Sequence, residues 1–272
     1  MNFQPILIGT QVAVTIAILI YASWRDYKCR EVSNRVWAIY LPIATTLSLA
    51  NLFLFDSSKL LLFGISVGFT VGLAFLLFYS GGFGGADSKA LMCIAVALPF
   101  APVAIFTPII SGSLSPIAQY IFPVTILGNA VLFAAASIFY ILVRNIIWHK
   151  RNHKKMFMAT LATESVGKKI LVLITGYKVT IGKLKEKWHI FPMEDVSDLE
   201  EVNFKRKLVI VPNEDERNKI VERLSNAEKA GKIEDYVWAT PGLPMLIFIT
   251  VGLIVALLFG DVVWLLVKLI IG

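Results

Sequence analysis

Long apolar runs, separated by short polar segments, occupy most of this chain. Six of them reach the ~20 residues that a helix needs to cross the ~30 Å hydrocarbon core of a membrane. The predicted spans are Pro5–Trp24, Val36–Phe55, Leu60–Tyr79, Lys89–Ile110, Ile117–Val143 and Thr240–Gly260. An apolar tail, Val262–Ile271, extends or follows the sixth span. The pattern predicts an α-helical polytopic membrane protein with about six transmembrane helices, several of them kinked by proline.

A polar segment, 149–238, is long enough to fold in water. Its pattern predicts two strands and one helix, at Lys169–Thr175, Lys207–Val211 and about Glu214–Lys232. Asn213 with Glu216 three positions on is typical of a capping box at the start of that helix. We therefore expect transmembrane helices one to five within 1–148, a small cytoplasmic α+β domain at 149–238, and helix six with the tail at 239–272.

The distribution of charge predicts how the chain is oriented in the membrane. Hydrophobic residues make up 57% of the chain and charged residues 17%. Basic residues cluster on one side of the spans: Arg25, Lys28, Arg30, Arg35, Lys89, Lys150, Arg151, Lys154 and Lys155. The loops and tail on the other side have only Lys59 and Lys268. Because basic loops stay in the cytoplasm, we expect both termini outside and the insert inside. The basic start of the insert is either a topology anchor or a surface for anionic lipid or a partner.

Several common kinds of catalytic site are disfavoured by the sequence. Two cysteines provide neither a disulfide framework nor a zinc site, and the three histidines all lie in the insert without an HExxH pattern. A GxSxG motif is missing from the chain. Ser88 and Lys89 are adjacent rather than one helical turn apart, which disfavours a serine–lysine dyad. We expect a site without a metal or a cofactor.

Two aspartates each lie at the cytoplasmic end of a predicted helix. Asp87 follows four glycines in the segment Gly81–Lys89, where bare backbone allows a peptide to approach and a helix N-terminus favours negative charge. A flexible turn that Asp87 caps is an equally valid interpretation. Asp26 lies among basic residues, where charge balance alone explains it. As a pair, the two carboxyl groups can share a proton and act as base on a water and acid on a leaving group.

The residues around these aspartates form two motifs. The first is Asp26 with Arg30, Val32, Ser33 and Asn34, and the second is Gly84-Gly85-Ala86-Asp87 with Lys89. They resemble the GxGD aspartic membrane peptidases that process type IV prepilins and archaeal preflagellins, with Ala86 in place of the second glycine. The segment from Trp238 to Pro244 and the insert before the last helix are similar to archaeal members. Bacterial members that methylate their products carry paired CxxC motifs, which this chain lacks, so no methyltransferase activity is expected.

The resemblance implies an intramembrane aspartic endopeptidase that removes a short basic leader from preflagellin-like or prepilin-like subunits at the cytoplasmic face. Asp26 and Asp87 would be the catalytic pair, which requires helices one and four to pack together. The residues expected to contact the substrate backbone are Gly81, Gly82, Gly84, Gly85 and Ala86. Glu31 and acidic residues of the insert are candidates for binding the leader. The implied partners are the substrate protein and membrane lipid, without nucleic acid.

Two other functions are compatible with parts of the pattern. A proton-coupled transporter would use Asp26 and Asp87 to bind an ion between broken helices. Both aspartates lie at one membrane edge rather than in mid-span, which disfavours it. A non-catalytic scaffold that recruits a partner through its insert leaves the paired motifs unexplained.

Overall fold

The computed structural model describes residues 3–110, 112–152, 156–157, 159–197, 204–210, 216–241 and 244–271. Over these residues the chain is mostly helical, and it divides into two compact units. The first unit comprises Met1–Ala135 together with Pro244–Gly272, and the second comprises Ala136–Leu243.

Helices predominate in the first unit, and the strands all belong to the second. The helices are α1 Gln4–Cys29, α2 Asn34–Phe55, α3 Leu60–Tyr79, α4 Gly85–Ala97, α5 Pro116–Tyr120, α6 Phe122–Asn152, α7 Val166–Thr175, α8 Ile181–Glu186, α9 Arg217–Lys229, α10 Met245–Phe259 and α11 Val262–Ile271. Short 3₁₀ turns cover Ser57–Lys59 and Ala159–Thr163. The strands are β1 Tyr177–Thr180, β2 Ile190–Pro192, β3 Glu194–Val196, β4 Arg206–Leu208 and β5 Tyr236–Pro241.

The described residues include four helices that are long and apolar enough to cross a membrane. These are Gln4–Cys29, Asn34–Phe55, Ser57–Tyr79 and Phe122–Arg151. Helices α10 and α11 add a fifth if they form one span, although a bend of 63° separates them. The chain therefore has the apolar helices of a multi-pass membrane protein.

Three of the predicted spans have different boundaries in the structure. The proline-kinked helix predicted over Lys89–Ile110 is shorter in the structure, because α4 ends at Ala97. Three prolines between positions 99 and 108 follow, and proline supplies no N–H for a helical hydrogen bond. The fifth predicted span is divided into α5 and α6 at Ile121. The sixth helix begins at Met245 and not at Thr240, which lies in β5.

Neighbouring helices satisfy the carbonyl groups that the break after α4 leaves free. The hydroxyl of Ser48 donates to the carbonyl oxygen of Val96 at 2.6 Å, and that of Ser66 donates to the carbonyl oxygen of Pro99 at 3.0 Å. Both serines are buried, and α4 packs against α2 and α3 and also contacts α1 and α10. The start of the break, at 97–99, is therefore buried in protein, which is a condition for irregular backbone at membrane depth.

The second unit combines strands with helices. Its three-stranded antiparallel sheet has the order β1-β5-β2, with Tyr177 opposite Ala239 and Ile190 opposite Pro241, and β3 pairs separately with β4. Helix α9 packs against β2 and β3. Its buried apolar residues include Ile220, Val221, Leu224 and Ala227. The prediction of a helix within 214–232 is thus confirmed, while Asn213 lies outside the described residues.

Of the two predicted strands, one is wrong and one is present in part. Lys169–Thr175 belongs to helix α7, which begins where the N–H of Lys168 donates to the hydroxyl of Ser165. A serine N-cap favours helix over strand for the apolar run that follows. The strand predicted at Lys207–Val211 is observed as β4, which ends at Leu208, and Val211 is not among the described residues.

A buried ionic cluster connects the two strand systems of the second unit. The Glu194 carboxylate accepts from Lys178 at 2.8 Å and from Arg206 at 2.5 Å, and all three side chains are at most one-tenth exposed. It also accepts the backbone N–H of Trp238, in β5, at 2.8 Å. Burial acts to raise the pKa of Glu194, but the two cations outweigh it and hold that pKa below its ordinary value.

Candidate active site

Asp26 lies in the last turn of helix α1. The helix ends at Cys29, and Arg30 follows in the left-handed region with φ of 52°. The N–H of Arg30 donates to the carbonyl oxygen of Asp26 at 2.9 Å. The side chain of Asp26 is half-buried, so its carboxyl group lies at the boundary between the helix bundle and the polar segment that follows.

Asp87 lies in the first turn of α4, directly after the glycine segment. Its Oδ2 atom accepts the N–H of Gly84 at 3.0 Å. Asp87 therefore caps the helix from the third helical position rather than from the N-cap, which Gly84 occupies. This hydrogen bond fixes one oxygen of the carboxylate.

Two of the glycines before Asp87 occupy positions that an added side chain would disturb. Gly81 has φ of 75° where the chain leaves α3, a conformation that favours glycine. A Cβ atom on Gly84 would lie 3.1 Å from Oδ2 of Asp87. Added Cβ atoms on Gly82 and Gly85 would make ordinary contacts of 3.5 Å or more, so local packing does not account for these two.

The structure brings Asp26 and Asp87 together. Helices α1 and α4 contact each other, and the two carboxyl groups are close enough to interact electrostatically. Arg30 interacts electrostatically with both carboxyl groups. Its Nε atom is buried and has no hydrogen-bond partner within the described part of the chain. The site is thus a coupled pair of acids with one neighbouring cation.

A hydrogen bond joins the two sequence motifs. The ammonium group of Lys89, in α4, donates to Oδ1 of Asn34 at 2.6 Å. Asn34 is the first residue of α2, directly after the segment that follows Asp26. Ser88 is buried, and its hydroxyl donates to the carbonyl oxygen of Gly84 at 3.2 Å. Lys89 and Ser88 therefore have separate partners, as expected for residues that do not form a dyad.

Helix α10 contributes polar groups that sequence reasoning missed. The hydroxyl groups of Ser23 and Thr250 lie 2.7 Å apart, and that of Ser23 also lies 2.9 Å from the carbonyl oxygen of Leu246. The backbone N–H of Leu246 interacts with the carboxyl group of Asp87. Serine and threonine inside apolar helices were the available signal, but their partners lie more than 200 positions away in the sequence.

The remaining predicted site residues differ in their exposure to solvent. Ala86 is half-buried, whereas Gly81 and Gly82 are exposed, as is Glu31. An exposed glycine segment beside two coupled carboxyl groups gives room for an extended peptide backbone. Two carboxyl groups of this kind can hold one proton between them, which is the state needed to activate water and protonate a leaving group.

Comparisons with known proteins identify the class. The profile of the Type IV leader peptidase family matches residues 13–143, which include both aspartates. The profile of the Archaeal Peptidase A24 C-terminus Type II matches residues 168–262. A chain with these apolar helices and these two matches is a membrane peptidase. It belongs to the type IV leader peptidase family.

Three curated relatives are similar over most of their length. Each is a preflagellin peptidase, and the first, from Methanococcus voltae, is 28% identical over 92% of this chain and 94% of its own. The second, from Methanococcus maripaludis, is 25% identical over 89% of this chain and 92% of its own. The third, from Methanocaldococcus jannaschii, is 24% identical over 89% of this chain and 91% of its own. The similarity thus extends over both units.

Proposed function

We propose that this chain is an aspartic endopeptidase that removes the short basic leader of preflagellin-like or prepilin-like subunits. The observation that carries the proposal is the electrostatic coupling of Asp26 and Asp87 across α1 and α4. The names of the relatives supply the substrate class.

In this mechanism the two carboxyl groups share one proton. The ionised group takes a proton from a water that attacks the scissile carbonyl, and the protonated group donates to the leaving amine. Asp87 is oriented by the N–H of Gly84, and the backbone at Gly81–Ala86 lies alongside the substrate. No metal and no cofactor takes part, and the product is not methylated.

We also propose the orientation that the basic residues indicate. About six segments cross the membrane, with α4 and the bent pair α10–α11 among them. Both termini lie outside, and the active site and the 149–238 domain face the cytoplasm.

The test is cleavage of a tagged substrate in cells that co-express the full chain. We expect the wild type to shift the size of a preflagellin-like substrate, and Asp26→Asn and Asp87→Asn each to lose at least about a thousandfold in rate, since neither retains the shared proton. Asp56→Asn is the matched control, because Asp56 ends α2 and pairs with Lys59 at 2.5 Å.

The comparison requires that all variants reach the membrane in comparable amounts. Cleavage that survives in either Asp26→Asn or Asp87→Asn rejects the dyad. Failure of the wild type on both preflagellin-like and prepilin-like leaders rejects the substrate class and favours a proton-flux measurement for transport.

A further inference from the structure

A basic pocket in the second unit is not explained by peptidase chemistry. It is open, has a volume of about 820 Å³, and is formed by α6, β1, α8 and the residues around β2 and β5. Helix α6 contributes Arg144, Ile147, Trp148 and Arg151. Their spacing of three and four residues places them on one face of the helix.

The charged residues that line this pocket are all positive. Arg144, Arg151, Lys183 and Lys187 line it, and no carboxylate is among the described residues of its wall. Lys178 also lines it, but Glu194 already pairs with that ammonium group. Four positive side chains therefore face an open volume of the size that small ligands occupy.

Acidic residues on neighbouring elements lie outside the pocket or interact with other groups. Asp235 precedes β5, and its Oδ1 atom accepts the N–H of Ile181 at 3.0 Å. Glu194 is buried and engaged by Lys178 and Arg206. Glu186 is exposed on α8 and does not line the pocket. Glu234, exposed just before β5, interacts electrostatically with Lys178 but does not line the pocket. The described wall therefore has no carboxylate that would compete with an external anion.

Aromatic rings and a buried amide hold the wall of the pocket in place. The guanidinium carbon of Arg144 lies 3.5 Å from the ring centroid of Tyr177, and the rings of Trp148 and Tyr236 are 5.7 Å apart. Asn145, next to Arg144, is buried and donates to two carbonyl oxygens beyond the end of α6. Tyrosine and tryptophan are enriched where a membrane protein meets lipid headgroups.

The position of Arg144 along α6 sets its depth in the membrane. The helix contains no charged residue from Phe122 to Val143, a length of about 33 Å at ~1.5 Å per residue. That length matches the ~30 Å hydrocarbon core. Arg144 is the first charged residue after it, so the pocket begins at the depth of lipid phosphates.

We propose that this pocket binds the phosphate-bearing headgroup of an anionic membrane lipid. Arg144 and Arg151 can each hold a phosphate through two N–H groups, while Lys183 and Lys187 act as point charges. The basic leader of the proposed substrate has the wrong sign for this pocket. Lipid occupancy would fasten the second unit to the membrane surface.

The test uses the full chain in neutral detergent. Acyl-labelled phosphatidylglycerol and phosphatidylcholine are titrated separately, and binding is followed by fluorescence anisotropy. We expect phosphatidylglycerol to bind at least tenfold more tightly. The double variant Lys183→Gln/Lys187→Gln should weaken that binding about twentyfold or more, since each charge near an anionic surface contributes about fivefold. The control is Lys219→Gln/Lys229→Gln, which removes two exposed charges from α9.

Equal affinity for the two lipids, or an equal loss in the control, would overturn the proposal. Competition by inorganic phosphate at concentrations near the lipid affinity would also overturn it, since the ligand would then be a soluble phosphate. Asp87→Asn is expected to keep full lipid binding. Binding and cleavage can therefore fail independently.

Discussion

At the scale of single residues, the site depends on a close contact between Gly84 and the Asp87 carboxylate. The N–H of Gly84 fixes Oδ2 of Asp87, and an added Cβ would lie 3.1 Å from that oxygen. The sequence indicated both aspartates from their motifs. It did not indicate that Gly84 orients the carboxylate, because that role depends on the turn which α4 makes at its start.

Gly84→Ala is predicted to lower leader cleavage about tenfold or more, because the methyl group pushes the Asp87 carboxylate from its hydrogen bond. The measurement is the initial rate of cleavage in isolated membranes. Gly64→Ala serves as the control, since nothing lies within 4 Å of an added Cβ at that position in α3. An unchanged rate in Gly84→Ala would show that this orientation is unimportant.

At the scale of elements, the second unit depends on the buried carboxylate of Glu194. It links β1, through Lys178, with β4, through Arg206, and with the backbone of β5 at Trp238. Removing one partner of a buried ionic group leaves the others uncompensated in a medium of low polarity. These residues are separated in the sequence, and no local pattern indicates that they meet.

Glu194→Gln is therefore expected to destabilise the second unit by about 3–5 kcal/mol. Hydrogen exchange of the Trp238 amide in the full chain measures this directly. Glu222→Gln, on the exposed side of α9, is the matched control and should leave the exchange unchanged. Equal protection in Glu194→Gln and wild type would contradict a structural role for the cluster.

The same carboxylate predicts a pH dependence. Its pKa is lowered in the folded chain from an ordinary value of 4.5. The stabilisation is therefore complete above pH 4.5 and is lost as the pH falls through the folded-state pKa. Amide protection of Trp238, corrected for intrinsic exchange, should fall in that acid range in the wild type. In Glu194→Gln, this acid-dependent part should be missing.

At the scale of the whole molecule, the distribution of Lys and Arg decides the proposed orientation. Lys59 lies at the end of the loop between α2 and α3, and Lys219 lies in α9 of the second unit. The positive-inside rule assigns them to opposite faces of the membrane. The same rule assigns the active site to the cytoplasmic face, where the leader of the substrate is synthesised.

In a chain with Cys29→Ser and Cys93→Ala, we expect Lys59→Cys to react with an impermeant maleimide in intact cells. Lys219→Cys should react only after the membrane is opened. Labelling of both in intact cells, or of neither, would show that the proposed sidedness is incorrect. Retained cleavage activity verifies that the variants are folded.

The sequence by itself determined the long apolar helices, helix α9 and the two aspartate motifs, because hydrophobic periodicity and local motifs are properties of neighbouring residues. The tertiary structure decided that the break after α4 is tolerated, since serines of α2 and α3 satisfy its free carbonyl groups. It also decided that Asp26 lies beside Asp87. These outcomes depend on partners distant in the sequence, and no local pattern records which distant group satisfies a buried polar atom.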